Sequence, residues 1–324
     1  MRWAALLLAP SAFAVPSAAV AQAPYVLLPG HIDLEIGPDG NSVILDAPDG
    51  LVVVDTGRHE AHAARILDHA RAVGKPVVAV VNTHWHLDHT TGNRELLSAH
   101  PRARLLATDA VSGALTGFLA AAPQRARDRA ADQTLSEDER ARARRTLAAL
   151  EDRAALVPET PVAVGGAVEL GGRRFALRVA RSAATEADLW LLAPDEGLAV
   201  VGDLVVAPVP FFDTGCEEGW RAALTDVAAA EWRSLIPGHG APMTRDDFAR
   251  WRMAFEAWLD CAGSDRPAGQ CAEGWMRDAA GFHTADEAPG VRMLAEAYVA
   301  EVLRAPAEER MAYCASPARP QAAP

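Results

Sequence analysis

The sequence has little positive charge, few cysteines and few long apolar runs. Its formal net charge is −12, which argues against a nucleic-acid partner because such partners favour a basic protein face. The cysteines show no C-x-x-C spacing, so a zinc site built from thiolates is disfavoured. Beyond residue 21 no segment is apolar over a length that could span a bilayer. The chain of 324 residues, half of them hydrophobic, can form one large α/β domain or two small ones.

Residues 1–21 are typical of a secretory signal peptide. Arg2 supplies the positive start, Trp3–Ala9 is apolar, and Ala19-Val20-Ala21 is a small-x-small cleavage site. The apolar part is interrupted by proline and too short for a permanent membrane helix, although an uncleaved anchor remains the alternative. We therefore expect a periplasmic or secreted protein with no integral membrane span after cleavage.

The four cysteines lie in the exported part, and an even number suits disulfide bonds. Cys261 and Cys271 enclose a short segment rich in Gly, Ser and Pro, so we pair them first. Cys216 is then left with Cys314. Four cysteines allow three connectivities, and the other two remain open.

A cluster of metal-binding residue types follows the apolar run Val77–Val81, which is typical of a buried strand. The cluster contains His84, His86, Asp88 and His89 within six residues. Alternation along an extended loop directs the first two histidines to one side, and a tight turn can bring the other two residues to an adjacent position. Neutral imidazole and carboxylate suit a divalent ion such as zinc. The alternative is a set of unrelated polar loop residues.

The run His84-Trp85-His86-Leu87-Asp88-His89 resembles the H-x-H-x-D-H signature of the metallo-β-lactamase superfamily. The resemblance implies an α/β fold, the four-layer αββα metallo-β-lactamase sandwich. It also implies that His84 and His86 bind one metal while Asp88 and His89 bind a second. The expected cofactor is one or two Zn²⁺ ions.

Three further motifs extend the resemblance. Asp55-Thr56-Gly57 is similar to the family's D-T-G turn, in which Asp55 would orient metal ligands or, alternatively, cap a helix. Gly202-Asp203 is similar to the motif whose aspartate bridges two metals in glyoxalase II-like relatives. The β-lactamases of the superfamily typically carry Cys or Ser there, so Asp203 disfavours antibiotic hydrolysis. The turn Pro237–Gly240 is similar to the family's P-G-H-G turn, whose histidine, here His239, would complete the second site.

One expected ligand is missing. The family normally has a histidine between the two halves, but Ala184 stands at that position. Three interpretations follow: an enzyme with an open or substituted first site, a one-metal enzyme that uses the second site, or a degenerate binding protein. His59, His62 or Glu186 are the candidates for a substitute ligand.

The resemblance and the hydrophobic pattern together divide the chain. We expect the metallo-β-lactamase-fold domain over residues 22–258 and a disulfide-tied helical C-terminal extension over residues 259–324. Residues 109–157, rich in Ala and Arg, form a helical insertion that is either a solvated surface or a lid, with Phe118 and Leu119 as an apolar wall.

Local patterns predict individual elements of these parts. A β-hairpin turns at Pro48-Asp49-Gly50, and helical spacing predicts a helix over residues 60–73. In the insertion, one helix is predicted over 109–122, ending near Pro123, and a capping box beginning at Ser136 predicts another from about 137 to 153. Further elements are predicted in the second half: short strands at 163–166, 167–172 and 174–179, a helix over 246–259, and an apolar wall at 208–214.

The expected function is hydrolysis of an ester, thioester, lactone or amide bond of a small-molecule substrate. Metal-bound hydroxide would attack the carbonyl, and Asp88 would help to hold and orient this nucleophile. The alternatives are a non-catalytic periplasmic binding protein and a β-lactamase. A redox oxygenase with iron in the first site ranks last, because it needs the histidine that Ala184 replaces.

Overall fold

A computed structural model of the protein describes residues 25–30, 37–306, 309–310 and 314. The predicted leader, residues 1–21, lies outside the described residues. Within the described ranges the strands are β1 Tyr25–Leu28, β2 Ser42–Ala47, β3 Gly50–Val54, β4 Val77–Val81, β5 Arg104–Leu106, β6 Gly166–Leu170, β7 Arg173–Arg181, β8 Ala187–Ala193, β9 Leu198–Val206 and β10 Ser234–His239. The α-helices are α1 Glu60–Val73, α2 Leu87–Thr90, α3 Asn93–Ala99, α4 Ala110–Thr116, α5 Ala122–Ala131, α6 Glu137–Glu151, α7 Arg153–Leu156, α8 Glu217–Ala229, α9 Arg245–Ala262, α10 Ala268–Asp278 and α11 Ala288–Ala297.

The strands form two five-stranded mixed sheets. The first has the order β1-β2-β3-β4-β5 and the second the order β10-β9-β8-β7-β6. In the first sheet β3, β4 and β5 run parallel, and in the second only β9 and β10 do. A crossover through α1 connects β3 to β4 and allows the two strands to run in the same direction. The carboxyl ends of these parallel strands therefore lie at the same edge of the sheet.

Alternating side chains build the layers on both faces of the first sheet. In β2, Val43 and Leu45 pack between the two sheets with residues such as Leu191 of the second sheet. The intervening Ile44 points to the opposite face, where it packs with Ile66 of α1. The period of two along a strand produces this division.

The second sheet is covered on its outer face by α8, α9 and the C-terminal helices, with Trp220, Trp251 and Trp275 fully buried there. The aromatic residues at helical spacing in α9 therefore belong to the core, as their pattern predicts. The order of layers is helices, sheet, sheet, helices. The predicted four-layer αββα architecture is confirmed.

Two helices match their sequence signals closely. α1 spans Glu60–Val73 as predicted and ends at Gly74, whose φ of 68° gives the left-handed C-cap that glycine adopts without steric cost. α9 contains the predicted range 246–259, and Thr244 and Asp247 form a capping box at its start.

In the helical insertion, the helix start predicted from the capping box is confirmed, but the helix end predicted from Pro123 is wrong. Ser136 and Glu139 form the predicted reciprocal cap of α6. The prediction of one helix over 109–122 is wrong, because α4 ends at Thr116 and a new helix, α5, begins at Ala122. Pro123 lies in the first turn of α5, where its missing N–H has no intrahelical partner to lose. The proline therefore starts a helix rather than ending one.

The predicted strand at 163–166 is also wrong. The chain is irregular through Gly165, and β6 begins at Gly166. Two adjacent glycines offer no side chains to pack on a sheet, which weakens strand formation. The later strands of this group, β6 and β7, pair antiparallel as a hairpin.

Both predicted disulfides are confirmed. Cys261 in α9 is bonded to Cys271 in α10, with a sequence separation of 10. Cys216 is bonded to Cys314, with a separation of 98. Two such bonds fit a protein outside the cytoplasm. Among the helices that the structure describes, none combines the length and apolarity needed to cross a lipid bilayer.

Candidate metal centre

The candidate centre lies where the carboxyl ends of parallel strands meet. The loop after β4 carries His84 and His86, and α2, which starts at Leu87, carries Asp88 and His89. Asp203 lies within β9 and His239 ends β10, the strand parallel to it. The carboxyl ends of parallel strands are the usual place for sites in α/β folds.

The side chains form two adjoining buried groups. In the first group, His84 Nε2 and His86 Nδ1 lie 3.5 Å and 3.8 Å from Asp203 Oδ2. In the second group, His239 Nε2 lies 3.1 Å from Asp88 Oδ2 and 3.3 Å from His89 Nε2. Within each group of three, the potential ligand atoms lie within 4.8 Å of one another.

Asp203 joins the two groups through its two carboxylate oxygens. While Oδ2 faces the first group, Oδ1 lies 3.2 Å from His89 Nε2 and 3.6 Å from His239 Nε2. One carboxylate with two oxygens can hold two cations about 3.5–4 Å apart. The predicted bridging position of Asp203 is therefore sterically available.

The donor atoms fit a divalent cation. His84 Nε2 and Asp203 Oδ1 are buried and have no hydrogen-bond partner among the described residues. Buried polar atoms are nearly always satisfied, so such atoms on two neighbouring residues point to a missing partner. Imidazole nitrogen and carboxylate oxygen are suitable zinc ligands.

Asp55 fixes the tautomers of two histidines. Its Oδ2 accepts a hydrogen bond from His89 Nδ1 at 2.8 Å and another from Thr83 Oγ1 at 2.7 Å. Because the Thr83 hydroxyl hydrogen is used there, the Thr83 oxygen accepts from His84 Nδ1 at 3.0 Å. When these two rings are neutral, as metal ligands must be, the lone pair of each is thus on Nε2, facing the centre. Asp55 has a φ of 58°, a strained value that its hydrogen bonds maintain.

Thr214 performs the same task for His86; it belongs to the predicted wall at 208–214, but the sequence did not indicate this role. Its hydroxyl donates to the carbonyl oxygen of Ala184 at 3.0 Å, so its oxygen accepts from His86 Nε2, also at 3.0 Å. The lone pair of His86 is therefore on Nδ1, the atom that faces Asp203. Thr214 is separated from His86 by 128 residues, and the sequence contains no signal for this contact.

Ala184 is 1% exposed and packs in the core beneath the second sheet. Its contribution to the centre is its backbone carbonyl oxygen, which accepts the hydrogen bond from the Thr214 hydroxyl. The three candidate substitutes have other partners: His59 Nδ1 is 2.9 Å from Asp39 Oδ2, His62 Nε2 is 2.8 Å from Ser42 Oγ, and Glu186 accepts from Trp85 Nε1 at 2.8 Å. Neither group of possible ligands among the described residues includes them.

The electrostatics of the centre favour a cation. Burial opposes ionisation of Asp88, but the charges of His89 and His239 outweigh it and hold the pKa of Asp88 far below its usual value. Burial likewise opposes protonation of His89, yet Asp203, Asp55 and Asp88 raise its pKa well above the ordinary histidine value. The carboxylates that favour a proton on His89 would equally stabilise a bound metal ion.

Aromatic side chains border the first group. The rings of Trp85 and His86 are 4.6 Å apart, and the half-exposed Phe118 ring of the insertion lies 5.5 Å from Trp85. On another side the ring of Phe211, within the predicted wall at 208–214, lies 5.4 Å from His86. The expectation that Leu119 also lines the cleft is wrong, because Leu119 is buried with Trp85 in a separate small core.

The chain belongs to the metallo-beta-lactamase superfamily, whose family model matches residues 37–246. Among curated proteins it is similar to a hydroxyacylglutathione hydrolase of Synechococcus sp. (strain JA-2-3B'a(2-13)), with 40% identity over 57 residues, which are 18% of this chain and 23% of that protein. It is also similar to a linear primary-alkylsulfatase of Pseudomonas sp. (strain ATCC 19151), with 38% identity over 56 residues, 17% of this chain and 11% of that protein. The matched segments thus span less than a quarter of either relative.

Solved structures support the fold. A metallo-beta-lactamase family protein from Thermus thermophilus has a TM-score of 0.56 at 19% identity, covering 84% of this chain and 91% of that chain. The inverting sec-alkylsulfatase Pisa1 from Pseudomonas sp. has a TM-score of 0.52 at 17% identity, covering 69% of this chain and 40% of that chain. Members of this superfamily typically bind metal ions, and the two groups of histidine and aspartate described above could hold them.

Proposed function

We propose that the protein is an exported zinc-dependent hydrolase that cleaves an ester, thioester, lactone or amide bond in a small molecule. The observation that supports this most strongly is the pair of buried donor groups joined by Asp203, in which His84 Nε2 and Asp203 Oδ1 have no hydrogen-bond partner within the described part of the chain. Export is supported by the two disulfides.

In this proposal His84, His86 and Asp203 hold one zinc ion, while Asp88, His89, His239 and Asp203 hold the other. A bound divalent cation supplies Lewis acidity, which polarises a scissile carbonyl and favours ionisation of water. The lowered pKa of Asp88 keeps its carboxylate ionised, so it can accept a hydrogen bond from the attacking water and orient it. Asp55 and Thr214 keep the histidine lone pairs directed inward.

The absence of a histidine at Ala184 is compatible with activity. Catalytic zinc sites commonly have three protein ligands and leave a position open, and the first group has three. The same departure also supports the rival proposal of a binding protein without turnover. Asp203, in place of Cys or Ser, continues to disfavour a β-lactamase.

The test is metal analysis of the purified mature protein together with assays on ester, thioester, lactone and β-lactam panels. We expect bound zinc, hydrolysis abolished by chelation and restored by zinc, and, in His239→Ala, loss of one zinc ion and of hydrolysis. His283→Ala is the control, because this histidine is partly exposed and, among the described residues, hydrogen-bonds to the backbone carbonyl oxygens of Met276 and Thr284. A protein that binds no metal, or a loaded protein whose rates equal buffer, would refute the proposal. Metal and ligand binding without turnover would instead support the binding protein.

A further inference from the structure

A cavity of about 580 Å³ adjoins the candidate centre. The segment before α1 and one face each of α5 and α6 line it. Leu87, which is part of its wall, stands in the chain between His86 and Asp88 of the two groups. Arg58 is also part of the wall, and its Nη2 lies 3.7 Å from Asp88 Oδ1. The cavity therefore begins one side chain away from the second group.

Arginine dominates the wall of this cavity, which we name the arginine pocket. Its basic residues are Arg58, Arg125, Arg129, Arg142 and Arg145, and its acidic residues are Glu60, Asp138 and Glu139. Two of these arginines also face carboxylates outside the wall, Arg58 at 3.7 Å from Asp88 and Arg145 at 2.8 Å from Glu95, so the pocket is near neutral in a chain whose net charge is −12. A near-neutral pocket repels an anion less than the acidic remainder of the chain does.

Glu139, one of the acidic residues of the wall, also caps α6. Its Oε2 accepts hydrogen bonds from the backbone and hydroxyl of Ser136 at 2.8 Å and 2.7 Å, and Arg129 is only within 3.9 Å of it. Arg125 and Arg142 have no acidic group within 4.0 Å among the residues that the structure describes. These two guanidinium groups are free to bind an anion.

The other side of the pocket is held in place. Arg145 Nε donates to Glu95 at 2.8 Å, and its Nη1 donates to the carbonyl oxygen of Arg58. Arg58 Nε in turn donates to the carbonyl oxygen of Pro38 at 3.1 Å. Arg58 is thereby fixed between the second group and the pocket, which reduces the entropy lost when it binds a ligand.

We propose that the arginine pocket binds an oxyanion carried by the substrate of the neighbouring centre. A guanidinium fork matches carboxylate, sulfonate or phosphate oxygens, which share this recognition chemistry. The substrate class is thus a hydrolysable compound with an anionic group on the side of the second group and an apolar portion against Phe118 and Phe211. This inference rests on the proposed function, whose substrate class it narrows.

The experiment compares mono(4-nitrophenyl) glutarate with 4-nitrophenyl acetate on the zinc-loaded protein. We expect a higher kcat/KM for the glutarate ester, and we expect this preference to weaken with added salt. Arg142→Gln should lower the preference about three- to fivefold, and the double variant Arg125→Gln/Arg142→Gln about tenfold. Arg144→Gln is the matched control on α6, because Arg144 is bonded to Glu137 and is absent from the pocket wall.

Calorimetric titration with glutarate, methanesulfonate and inorganic phosphate identifies the oxyanion and does not depend on turnover. Binding that weakens in Arg142→Gln but not in Arg144→Gln supports the proposal. The probe that binds most tightly identifies the kind of oxyanion that the pocket prefers. Hydrolysis of both esters without a preference, or a preference that survives the double variant, refutes the pocket and leaves the hydrolase intact. No hydrolysis of either ester counts against the proposed function, and the titrations still decide the pocket.

Discussion

Thr214→Val should weaken metal binding at the first group while leaving the second group largely unaffected. Valine has nearly the shape of threonine, so packing changes little, but it removes the hydroxyl that accepts from His86 Nε2. His86 must then keep a buried N–H without a partner or adopt the other tautomer. The other tautomer would protonate Nδ1, the atom that faces Asp203.

The expected magnitude follows from either outcome. A buried donor without a partner costs about 1–3 kcal/mol. Loss of the group that orients a metal-ligating histidine typically costs 10–100-fold in affinity, which is about 1.4–2.7 kcal/mol. The two values agree, so we expect zinc binding at the first group to weaken by 10–100-fold. Thr214→Ser keeps the hydroxyl and should retain near wild-type affinity.

Competition with a chromophoric chelator measures both zinc affinities separately. One of the two affinities should fall in Thr214→Val, and thermal unfolding in EDTA should show that the metal-free fold is retained. Two unchanged affinities would refute the assigned role. Equal weakening in the serine and valine variants would show that packing, not the hydrogen bond, is responsible.

Three more predictions concern charge, pH and covalent cross-links. Asp203→Ala should abolish tight binding of both zinc ions, whereas His239→Ala should remove only one, as measured by metal analysis after dialysis. Burial raises the pKa of Asp188 to about 7 against two opposing hydrogen bonds from Thr185, so the folded state binds its proton more tightly than the unfolded state. The metal-free protein should therefore lose up to about 4 kcal/mol of unfolding free energy between pH 4 and 7, a loss that urea titration should not find in Asp188→Asn. Removing the Cys216–Cys314 bond, which closes 98 residues, should destabilise by about 2 kcal/mol more than removing Cys261–Cys271, which closes 10, in chemical denaturation. Equal losses would contradict this difference.

Local information in the sequence was sufficient for many elements. The capping residues Ser136 and Glu139 and the terminal Gly74 act through their own backbone, so they can be recognised from adjacent residues alone. Pro123 misled the prediction because proline is equally compatible with the end of one helix and the first turn of the next. To choose between these two positions one must know that α4 ends just before Gly117, and that end depends on how the chain packs.

The candidate centre likewise contains some residues that local sequence could predict and others that it could not. His84, His86, Asp88 and His89 lie within six consecutive residues after β4, and local geometry places them together. Asp203 and His239 come from distant strands, and only the resemblance to a known family indicated them. Thr214 could not be predicted by either route, since its role depends on a hydroxyl meeting a ring 128 residues away in the chain.

The bridge at Cys216 lies two residues beyond Thr214, and the Cys216 amide donates to the carbonyl oxygen of Ala183 at 2.8 Å. Protein produced in a reducing bacterial cytosol would lack this anchor next to the residue that orients His86. Such preparations should contain less metal at the first group. Low activity in an assay would then be attributed wrongly to the protein rather than to the missing disulfide. Recombinant production should therefore use an oxidising compartment, with thiol titration before any assay.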